Sequence, residues 1–471
     1  MKIIDNMINS INFKEQKYYS LNDYDYLFQD PNVVNQLLKG NVIKFDGNQF
    51  KFEYVGVIVI GDNVLYCYPK YIKNENYDYN HFKEVLKVLK KFNKMNDNLF
   101  YYNDEFSDSP LSLLSIMLFF IEDYYENDVY RKNQEIYEVN GNGEIDWNRT
   151  INYTYPIIQN GNPYYTELQT RRKLNDLTNY FRLLHECIIT ECSQKLESKE
   201  LLELFDLNSV NLSDKSIHDF GDDKFIKEKL EKELKIEFNT HNRILLNAMI
   251  SYIDKINSTR NKILTLYGTN EYWVVWEKMC SKILNNNLND KIGHIFGDNL
   301  NELSIKDKQL IKVVDFPRLY LDGQKKNLSK LKPDLVIINE KENELIILDA
   351  KYRNLNSNTV DEHLKLKDVN KQFLYQLAYN KLICSENIKI IKNALLFPSE
   401  NDDVKNRGCI KFEMFNKIGL RKIQLIDLPA RKVNQYFLDD EHQSIDWLEL
   451  EDYDNDKLDW FICDLISDDK N

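Results

Sequence analysis

The chain has 471 residues, of which 43% are hydrophobic and 29% charged, a composition that indicates a globular protein and excludes a disordered chain. Its 14 glycines and 9 prolines are too few for a collagen-like or linker-rich sequence. The net charge is −13, but residues 439–471 carry −11 of it. The rest of the chain is nearly neutral, so a groove for a polyanion is not excluded.

The N-terminal region, residues 1–125, has a mixed α and β pattern. Two apolar and aromatic runs, Phe50–Ile60 and Asn63–Tyr68, flank Gly61-Asp62 and predict a β-hairpin. Apolar residues at helical spacing predict helices over Phe82–Met95 and Leu111–Tyr125.

The middle region, residues 126–256, is predicted to be mainly helical. It opens with a strand-like run at Ile136–Val139. Beyond Pro163 the apolar residues recur at helical spacing. The predicted helices are Leu174–Leu196, Leu201–Phe205, Phe225–Phe238 and Asn242–Ile256.

The third region, residues 257–438, mixes helices and strands and is followed by an acidic C-terminal tail, residues 439–471. The predicted helices are Tyr272–Leu284 and Asn370–Leu382. The predicted strands are Leu335–Ile338, Leu345–Leu348, Ala394–Phe397, which Pro398 ends, and Lys422–Ile426.

The most informative residues lie at the ends of a predicted hairpin in this third region. Asp334 opens one apolar strand, and Asp349 and Lys351 close the other. Because side chains alternate along a strand, Asp349 and Lys351 point the same way, and the hairpin can bring Asp334 beside them. Two carboxylates and the backbone carbonyl of Ala350 are hard oxygen ligands that suit Mg²⁺. Lys351 would then position or activate an attacking water.

This pattern resembles the active site of the PD-(D/E)XK nuclease superfamily. The resemblance rests on Pro333-Asp334, on the separation of the two aspartates and on Asp349-Ala350-Lys351. The alternative is an exposed hairpin with ordinary charges at its ends. The resemblance implies an α+β chain whose C-terminal nuclease core is a mixed β-sheet flanked by helices.

Two helices near the motif carry further candidates. Glu277 lies among apolar residues of the upstream helix, and many nucleases of this class carry such a glutamate near the metal. Downstream, Gln372 and Gln376 share one helical face, and Gln376 or Tyr375 could contact a phosphate or a metal-bound water. A solvated face for Glu277 and ordinary packing for the downstream residues remain the alternatives.

Four lysines lead into the motif and could follow a phosphate backbone. They are Lys325, Lys326, Lys330 and Lys332. A solvated loop is the alternative.

A second resemblance covers most of residues 50–440. Phe52–Tyr71, Gly141–Thr150 and Pro163–Glu167 resemble LlaJI-type restriction endonucleases, whose nuclease subunits are similar to McrC. This implies a bacterial restriction endonuclease subunit that hydrolyses double-stranded DNA with Mg²⁺, or with Mn²⁺ as a substitute, in defence against foreign DNA. An McrB-like AAA+ GTPase is the implied partner, and the N-terminal region would be its natural contact.

The sequence leaves several functional alternatives open. The chain has no G-x-x-x-x-G-K-[ST] loop, so nucleotide hydrolysis must come from a partner. A homodimer is a further expectation, because two DNA strands must be cut. No signal peptide or membrane-spanning run is visible, which predicts a cytoplasmic protein. The rival functions are a non-catalytic subunit that docks to the GTPase and stimulates it, and a stand-alone structure-specific repair nuclease acting on DNA or RNA.

Overall fold

The computed structural model describes a defined part of the chain, which has an α+β fold. The described residues are 10–73, 77–95, 112–258, 264–314, 318–321, 324–327, 331–339, 342–355, 366–388, 390–417 and 419–451. The α-helices are Leu21–Tyr24, Pro31–Lys39, Tyr79–Met95, Ser112–Asn127, Trp147–Tyr153, Tyr180–Glu197, Leu201–Leu204, Asp223–Ile236, Thr240–Ser258, Tyr272–Ile283, Ile292–Phe296, Leu366–Ala378, Asn380–Ser385, Glu413–Asn416 and Ala430–Asp439.

The strands occur in groups between these helices. They are Ser10–Lys14, Tyr19–Ser20, Ile43–Asp46, Gln49–Phe52, Val55–Ile60, Asn63–Tyr68, Asn133–Val139, Glu144–Ile145, Ile157–Gln159, Asn162–Tyr164, Gln169–Asn175, Leu264–Thr269, Arg318–Leu321, Gln324–Asn327, Leu335–Asn339, Glu344–Ala350, Ile390–Ser399, Lys405–Ile410 and Ile423–Pro429. The predicted hairpin at Gly61-Asp62 is confirmed, since Val55–Ile60 and Asn63–Tyr68 are neighbours in one sheet.

The chain divides into two compact units that do not follow sequence order. Within the described ranges, the first unit contains residues 58–64 and 112–267, and the second contains 10–57, 65–95 and 268–451. Most of the N-terminal region is therefore in the same unit as the predicted nuclease region. The division into four consecutive regions remains a prediction.

The first unit combines helices with a small sheet, of which the sequence predicted the strand at Ile136–Val139 but not its partner. Leu174 was predicted to start a helix, but it lies in strand Gln169–Asn175, which pairs with Asn133–Val139 along its full length. The helix begins only at Tyr180, because the Asn179 side chain accepts hydrogen bonds from the first free N–H groups. Cross-strand pairing thus overrides the helical spacing of the apolar residues there.

One strand predicted in the N-terminal region is in fact two. The run predicted as Phe50–Ile60 is broken at Glu53, whose N–H donates to Val42 O. Gln49–Phe52 pairs with Ile43–Asp46, whereas Val55–Ile60 belongs to a different sheet. The sequence pattern did not reveal this break, since apolar and aromatic residues are buried on both sides of it, at Phe50 and Phe52 and throughout Val55–Ile60.

A five-stranded mixed sheet forms the centre of the second unit, as the fold prediction required. Its order is Leu335–Asn339, Glu344–Ala350, Ile390–Ser399, Ile423–Pro429 and Lys405–Ile410. The two outer pairs are antiparallel and the inner pairs parallel. All seven residues of Glu344–Ala350 are buried. Burial of each apolar side chain contributes roughly 1.5–3 kcal/mol, so the end of this strand is firmly placed.

Helix Leu366–Ala378 packs against strand Glu344–Ala350, the second strand of this sheet. Tyr375 and Ala378 share one buried cluster with Leu345 and Ile347. Strand residues two apart point to the same face, so Asp349 continues the face that this helix covers.

The prediction that Pro398 ends a strand is wrong. Pro398 lies inside strand Ile390–Ser399 and pairs in register with Leu428. The neighbouring strand Glu344–Ala350 has already ended at Ala350, which pairs with Leu396. Because Pro398 has a strand neighbour on one side only, its missing N–H breaks no hydrogen bond to the other side.

The described part of the acidic tail is packed against the second unit. Leu448 is fully buried, and Asp440 forms ion pairs with Lys91 and Lys282. Glu451 forms an ion pair with Lys422. Residues 452–471 lie outside the described residues.

Candidate active site

The two aspartates of the motif face each other at one end of the five-stranded sheet. The antiparallel register pairs Leu335 with Leu348, so the next residues outward, Asp334 and Asp349, are opposite one another. Asp349 is 2% exposed. The hairpin therefore brings together two acids that are 15 positions apart in the sequence.

Asp334 is held in an environment that disfavours its charge. Burial, followed by the negative charges of Asp349 and Glu277, raises the pKa of Asp334 from 3.8 to about 8. Two influences oppose this rise: the positive charge of Lys351, and a hydrogen bond of 2.9 Å that Asp334 Oδ2 accepts from the Ala350 N–H. An ionised Asp334 is therefore costly unless a cation approaches it.

Lys351 is the cation that the chain itself supplies. Its Nζ lies 2.5 Å from Asp349 Oδ2 and 3.9 Å from Asp368 Oδ1. Burial alone would lower the pKa of Lys351, but the charges of Asp349 and Asp368 outweigh it and raise the pKa above 10.5. The lysine is thus held protonated beside the acids.

Glu277 reaches the same acids from helix Tyr272–Ile283. Burial, and then the charge of Asp349, raise the pKa of Glu277 from 4.5 to about 7. The other acid of this helix region, Glu271, occupies the N-cap position. We call Glu277, Asp334 and Asp349 the carboxylate cluster.

The oxygen atoms of the carboxylate cluster suit a hard divalent cation, but they are not arranged as a finished metal site. Within the described residues, no three His, Cys, Asp or Glu side chains are grouped closely enough to hold a metal ion. Lys351 Nζ is bonded to one oxygen of Asp349, and the Ala350 N–H to one oxygen of Asp334. The raised pKa values of Asp334 and Glu277 are the features that a bound cation would offset.

Asn286, which the sequence analysis did not single out, fixes the backbone at Asp334. Its Nδ2 donates to Asp334 O at 2.9 Å, and its Oδ1 accepts from Val336 N at 3.0 Å. An asparagine just after a helix carries no sequence signal for this role.

Tyr375 lies near the carboxylate cluster, but its hydroxyl is already bonded. It donates to Lys332 O at 2.7 Å and so ties down the segment before Asp334. Burial, and then the charges of Asp349 and Asp334, raise the pKa of Tyr375 above its usual value. Its predicted contact with a phosphate or water stays a prediction.

Gln372 and Gln376 form hydrogen bonds typical of helix packing. Gln376 exchanges two bonds with the Arg421 backbone, at 3.0 and 2.8 Å. Gln372 donates to Asn393 Oδ1 at 2.5 Å and to Ile347 O at 3.3 Å. Both amide atoms of Gln376 are therefore engaged, whereas Oε1 of Gln372 is buried with no hydrogen-bond partner among the described residues, and a supporting role for either glutamine stays a prediction.

Of the four predicted DNA-binding lysines, Lys332 is the one whose side chain lies among the described residues. Lys332 is exposed. Lys325 and Lys326 lie in strand Gln324–Asn327, but their side chains, and Lys330 as a whole, are outside the described residues. Their role and that of the Ala350 carbonyl stay predictions.

Asp368 is a site residue that the sequence analysis missed. Besides contacting Lys351, it lies 3.5 Å from Arg353 Nη2. It precedes Gln372 by one helical turn, so the face already identified on this helix could have revealed it.

Comparisons with known proteins identify the family. The family model described as LlaJI restriction endonuclease matches residues 54–433 of this chain. The chain belongs to the LlaJI restriction endonuclease family. It is 26% identical over 422 residues to the type II restriction enzyme BsuMI component YdjA of Bacillus subtilis (strain 168), covering 87% of this chain and 85% of that protein. The family predicted from the sequence is thereby confirmed, and the membership supports nuclease activity.

Two solved structures are weakly similar to the chain. The first is a half-complex of Thermococcus gammatolerans McrB AAA+ hexamers with bound McrC, with 13% identity and a TM-score of 0.39 over 92% of this chain and 99% of that chain. The second, the Thermococcus gammatolerans McrBC complex, has 13% identity and a TM-score of 0.23 over 52% of this chain and 79% of that chain.

Among the helices that the structure describes, none combines the length and the apolar composition needed to cross a membrane.

Proposed function

We propose that this chain is the DNA-cutting subunit of a restriction system and hydrolyses phosphodiester bonds of double-stranded DNA with Mg²⁺, for which Mn²⁺ can substitute. The observation that carries the proposal is the carboxylate cluster, in which burial and the charge of Asp349 raise the pKa values of Asp334 and Glu277 beside a protonated lysine. Such a group of buried like charges is typical of a functional site.

Asp334 and Asp349 would hold the cation, with Glu277 beside them. Both aspartates sit on the rigid hairpin of the five-stranded sheet, and Asn286 fixes the backbone at Asp334. When bound, Mg²⁺ supplies charge neutralisation and polarisation of the phosphate. The two aspartates would orient it, because their backbone positions are set by the strand register.

Lys351 would act on the phosphate and the attacking water. Its ammonium group cannot serve as a base while it is protonated, but it can donate a hydrogen bond to that water and face the negative charge that develops on the phosphate oxygens. To do this, Lys351 must direct some of its N–H donors away from Asp349. A cation bound by Asp349 would favour that change.

We further propose an McrB-like AAA+ GTPase partner. The support is the family resemblance together with the absence of a phosphate-binding loop from this sequence. The homodimer stays a separate prediction, which sedimentation of the purified chain would check.

The test is plasmid cleavage by the purified chain, alone and with an McrB-like AAA+ GTPase and GTP, in Mg²⁺, Mn²⁺ or EDTA. Asp349→Ala should lower cleavage at least a thousandfold, about 4 kcal/mol in the barrier, while circular dichroism and unfolding remain close to wild type. The matched control is Asp427→Asn. Asp427 is a buried aspartate of the same sheet, but it has an ion pair with Arg407 at 2.9 Å.

The outcomes separate the parts of the proposal. Cleavage that needs Mg²⁺ and Asp349 but not Asp427 supports the site. Cleavage by the chain alone would contradict the proposed need for a partner and would leave the proposed active site unaffected. Full cutting by Asp349→Ala would overturn the site. No cutting in any condition, with stimulated GTP hydrolysis by the partner, would favour the non-catalytic docking subunit.

A further inference from the structure

The residue that follows Lys351 points into a second buried cluster. Tyr352 is buried, and its ring lies 5.1 Å from the Tyr272 ring and 6.3 Å from the Tyr71 ring. Its hydroxyl donates to Glu15 Oε2 at 2.5 Å. Glu15 follows strand Ser10–Lys14. A residue of the N-terminal region thus contacts Tyr352, the neighbour of the proposed catalytic lysine.

Lys70 completes this second cluster. Its backbone N–H donates to the Tyr352 hydroxyl at 3.2 Å and to Glu15 Oε2 at 3.3 Å. Its Nζ lies 3.8 Å from Glu15 Oε1 and 4.4 Å from the centre of the Tyr352 ring. We call Glu15, Lys70, Tyr71, His81 and Tyr352 the anchor cluster; His81 bonds to the Tyr71 hydroxyl at 3.0 Å.

Residues 351–354, which follow strand Glu344–Ala350, contact Asp368 and Lys70 in alternation. Lys351 and Arg353 both contact Asp368. Tyr352 contacts Lys70, and Asn354 Nδ2 donates to Lys70 O at 2.7 Å. The segment is therefore held from both sides, with the anchor cluster on one and the acids on the other.

Lys351 needs this support because the strand ends just before it. Strand Glu344–Ala350 stops just before Lys351. Lys351 keeps one hydrogen bond of the sheet, from its N–H to Leu396 O at 2.8 Å. The Arg353 N–H then bonds back to Lys351 O, which turns the chain. A misplacement of about 1 Å at a catalytic group can cost about a hundredfold in rate.

We infer that Tyr352, held by Glu15 and Lys70, is a positioning residue that fixes Lys351 for the cleavage reaction. The N-terminal segment that supplies Glu15 and Lys70 is thus a structural part of the catalytic centre. This inference rests on the proposed function for its effect on cleavage, but its effect on the backbone at Lys351 does not.

Tyr352→Phe is the direct test, since it keeps the ring and removes the hydroxyl that bonds to Glu15. Hydrogen exchange of a peptide covering 350–355 should become about tenfold faster. Under the conditions in which wild type cuts DNA, kcat should fall about tenfold with KM unchanged, because a misplaced lysine weakens the transition state alone.

Two further variants control for a general loss of packing. Tyr71→Phe removes a hydroxyl from the same cluster, but one that bonds to His81, and it should leave exchange of 350–355 and kcat within twofold of wild type. Glu15→Gln keeps an acceptor for the Tyr352 hydroxyl and should retain most of the kcat.

Each outcome bears on one claim. Unchanged exchange in Tyr352→Phe, or equal losses in Tyr352→Phe and Tyr71→Phe, would overturn the positioning role. Faster exchange with an unchanged kcat would also overturn it. Faster exchange in a chain whose wild type never cuts DNA would retain the support of Lys351 and reject the proposed function.

Discussion

Two clusters of buried acid, tyrosine and lysine lie within a few residues of each other, and they differ in what surrounds the acid. In the anchor cluster, burial raises the pKa of Glu15, but Lys70, the Tyr352 hydroxyl and the Lys70 N–H all act to lower it. In the carboxylate cluster, burial raises the pKa of Asp334, and the next two influences, Asp349 and Glu277, raise it further.

The difference separates a structural acid from a functional one. Glu15 has partners from the chain that satisfy its charge, so its burial can hold distant segments together. Asp334 mainly meets other acids, so the fold stores a repulsion that only a cation from outside can remove fully. Burial and a shifted pKa are common to both, and the sign of the neighbouring charges distinguishes them.

The largest effect on stability should come from Glu15→Ala. It leaves Lys70 without its carboxylate and the Tyr352 hydroxyl without its acceptor, at a cost of about 3 kcal/mol in unfolding free energy. Urea unfolding would measure it. Glu53→Ala, which removes a more exposed acid paired with Lys51 at 3.1 Å, is the control and should cost about 1 kcal/mol or less. Equal costs would erase the distinction drawn for Glu15.

A second, smaller effect concerns the pH dependence of the anchor cluster. Burial lowers the pKa of His81 from 6.5 to about 4. A base with a lowered pKa in the folded state contributes stability above pH 6.5, and this stability is lost as the pH falls towards 4. When the pH falls from 7 to 5, His81 should therefore lower the free energy of unfolding by about 2 kcal/mol.

The measurement is urea unfolding of wild type and His81→Asn at both pH values. The variant should lose less stability on acidification. His185, whose pKa is also lowered to about 4 by burial, remains in both proteins and contributes the same to each. Identical pH dependence of the two proteins would show that His81 is not buried as a neutral group.

The smallest effect should have the opposite sign. Asp334→Asn keeps an acceptor for the Ala350 N–H and removes one of the mutually repelling charges. In metal-free buffer at pH 8 the variant should be more stable than wild type by about 1 kcal/mol, or roughly 1–2 °C in Tm for a chain of this length. Excess Mg²⁺ should stabilise wild type and have little effect on the variant.

Asp427→Asn is the control for this gain. Asp427 has Arg407 as its partner, so the substitution should bring no stabilisation. A destabilised Asp334→Asn in metal-free buffer would contradict the view that the carboxylate cluster is repulsive.

The sequence revealed the hairpin of the candidate site because its signals are local. Asp334, Asp349 and Lys351 stand at the ends of two apolar runs, and the strand register places them as the pattern predicts. Helical spacing likewise gave Tyr272–Ile283 within a residue at its C-terminal end, and with it the position of Glu277.

Other features depended on partners far away in the chain. The break at Glu53, the strand that contains Leu174, and Pro398 inside a strand all follow from pairing with distant strands. Gln372 and Gln376 share a helical face, as the sequence indicates, but the neighbouring layers decide what their amides bind.

The sequence by itself determined which residues could carry the chemistry, since spacing along one hairpin fixes which side chains share a face. Only the tertiary structure decided what holds them. Glu15, Lys70 and Tyr352 are separated by 55 to 337 positions, yet they meet in one hydrogen-bonded cluster. The physical reason is that periodicity records which side of an element is buried, whereas the partner of a buried polar group depends on how distant elements pack.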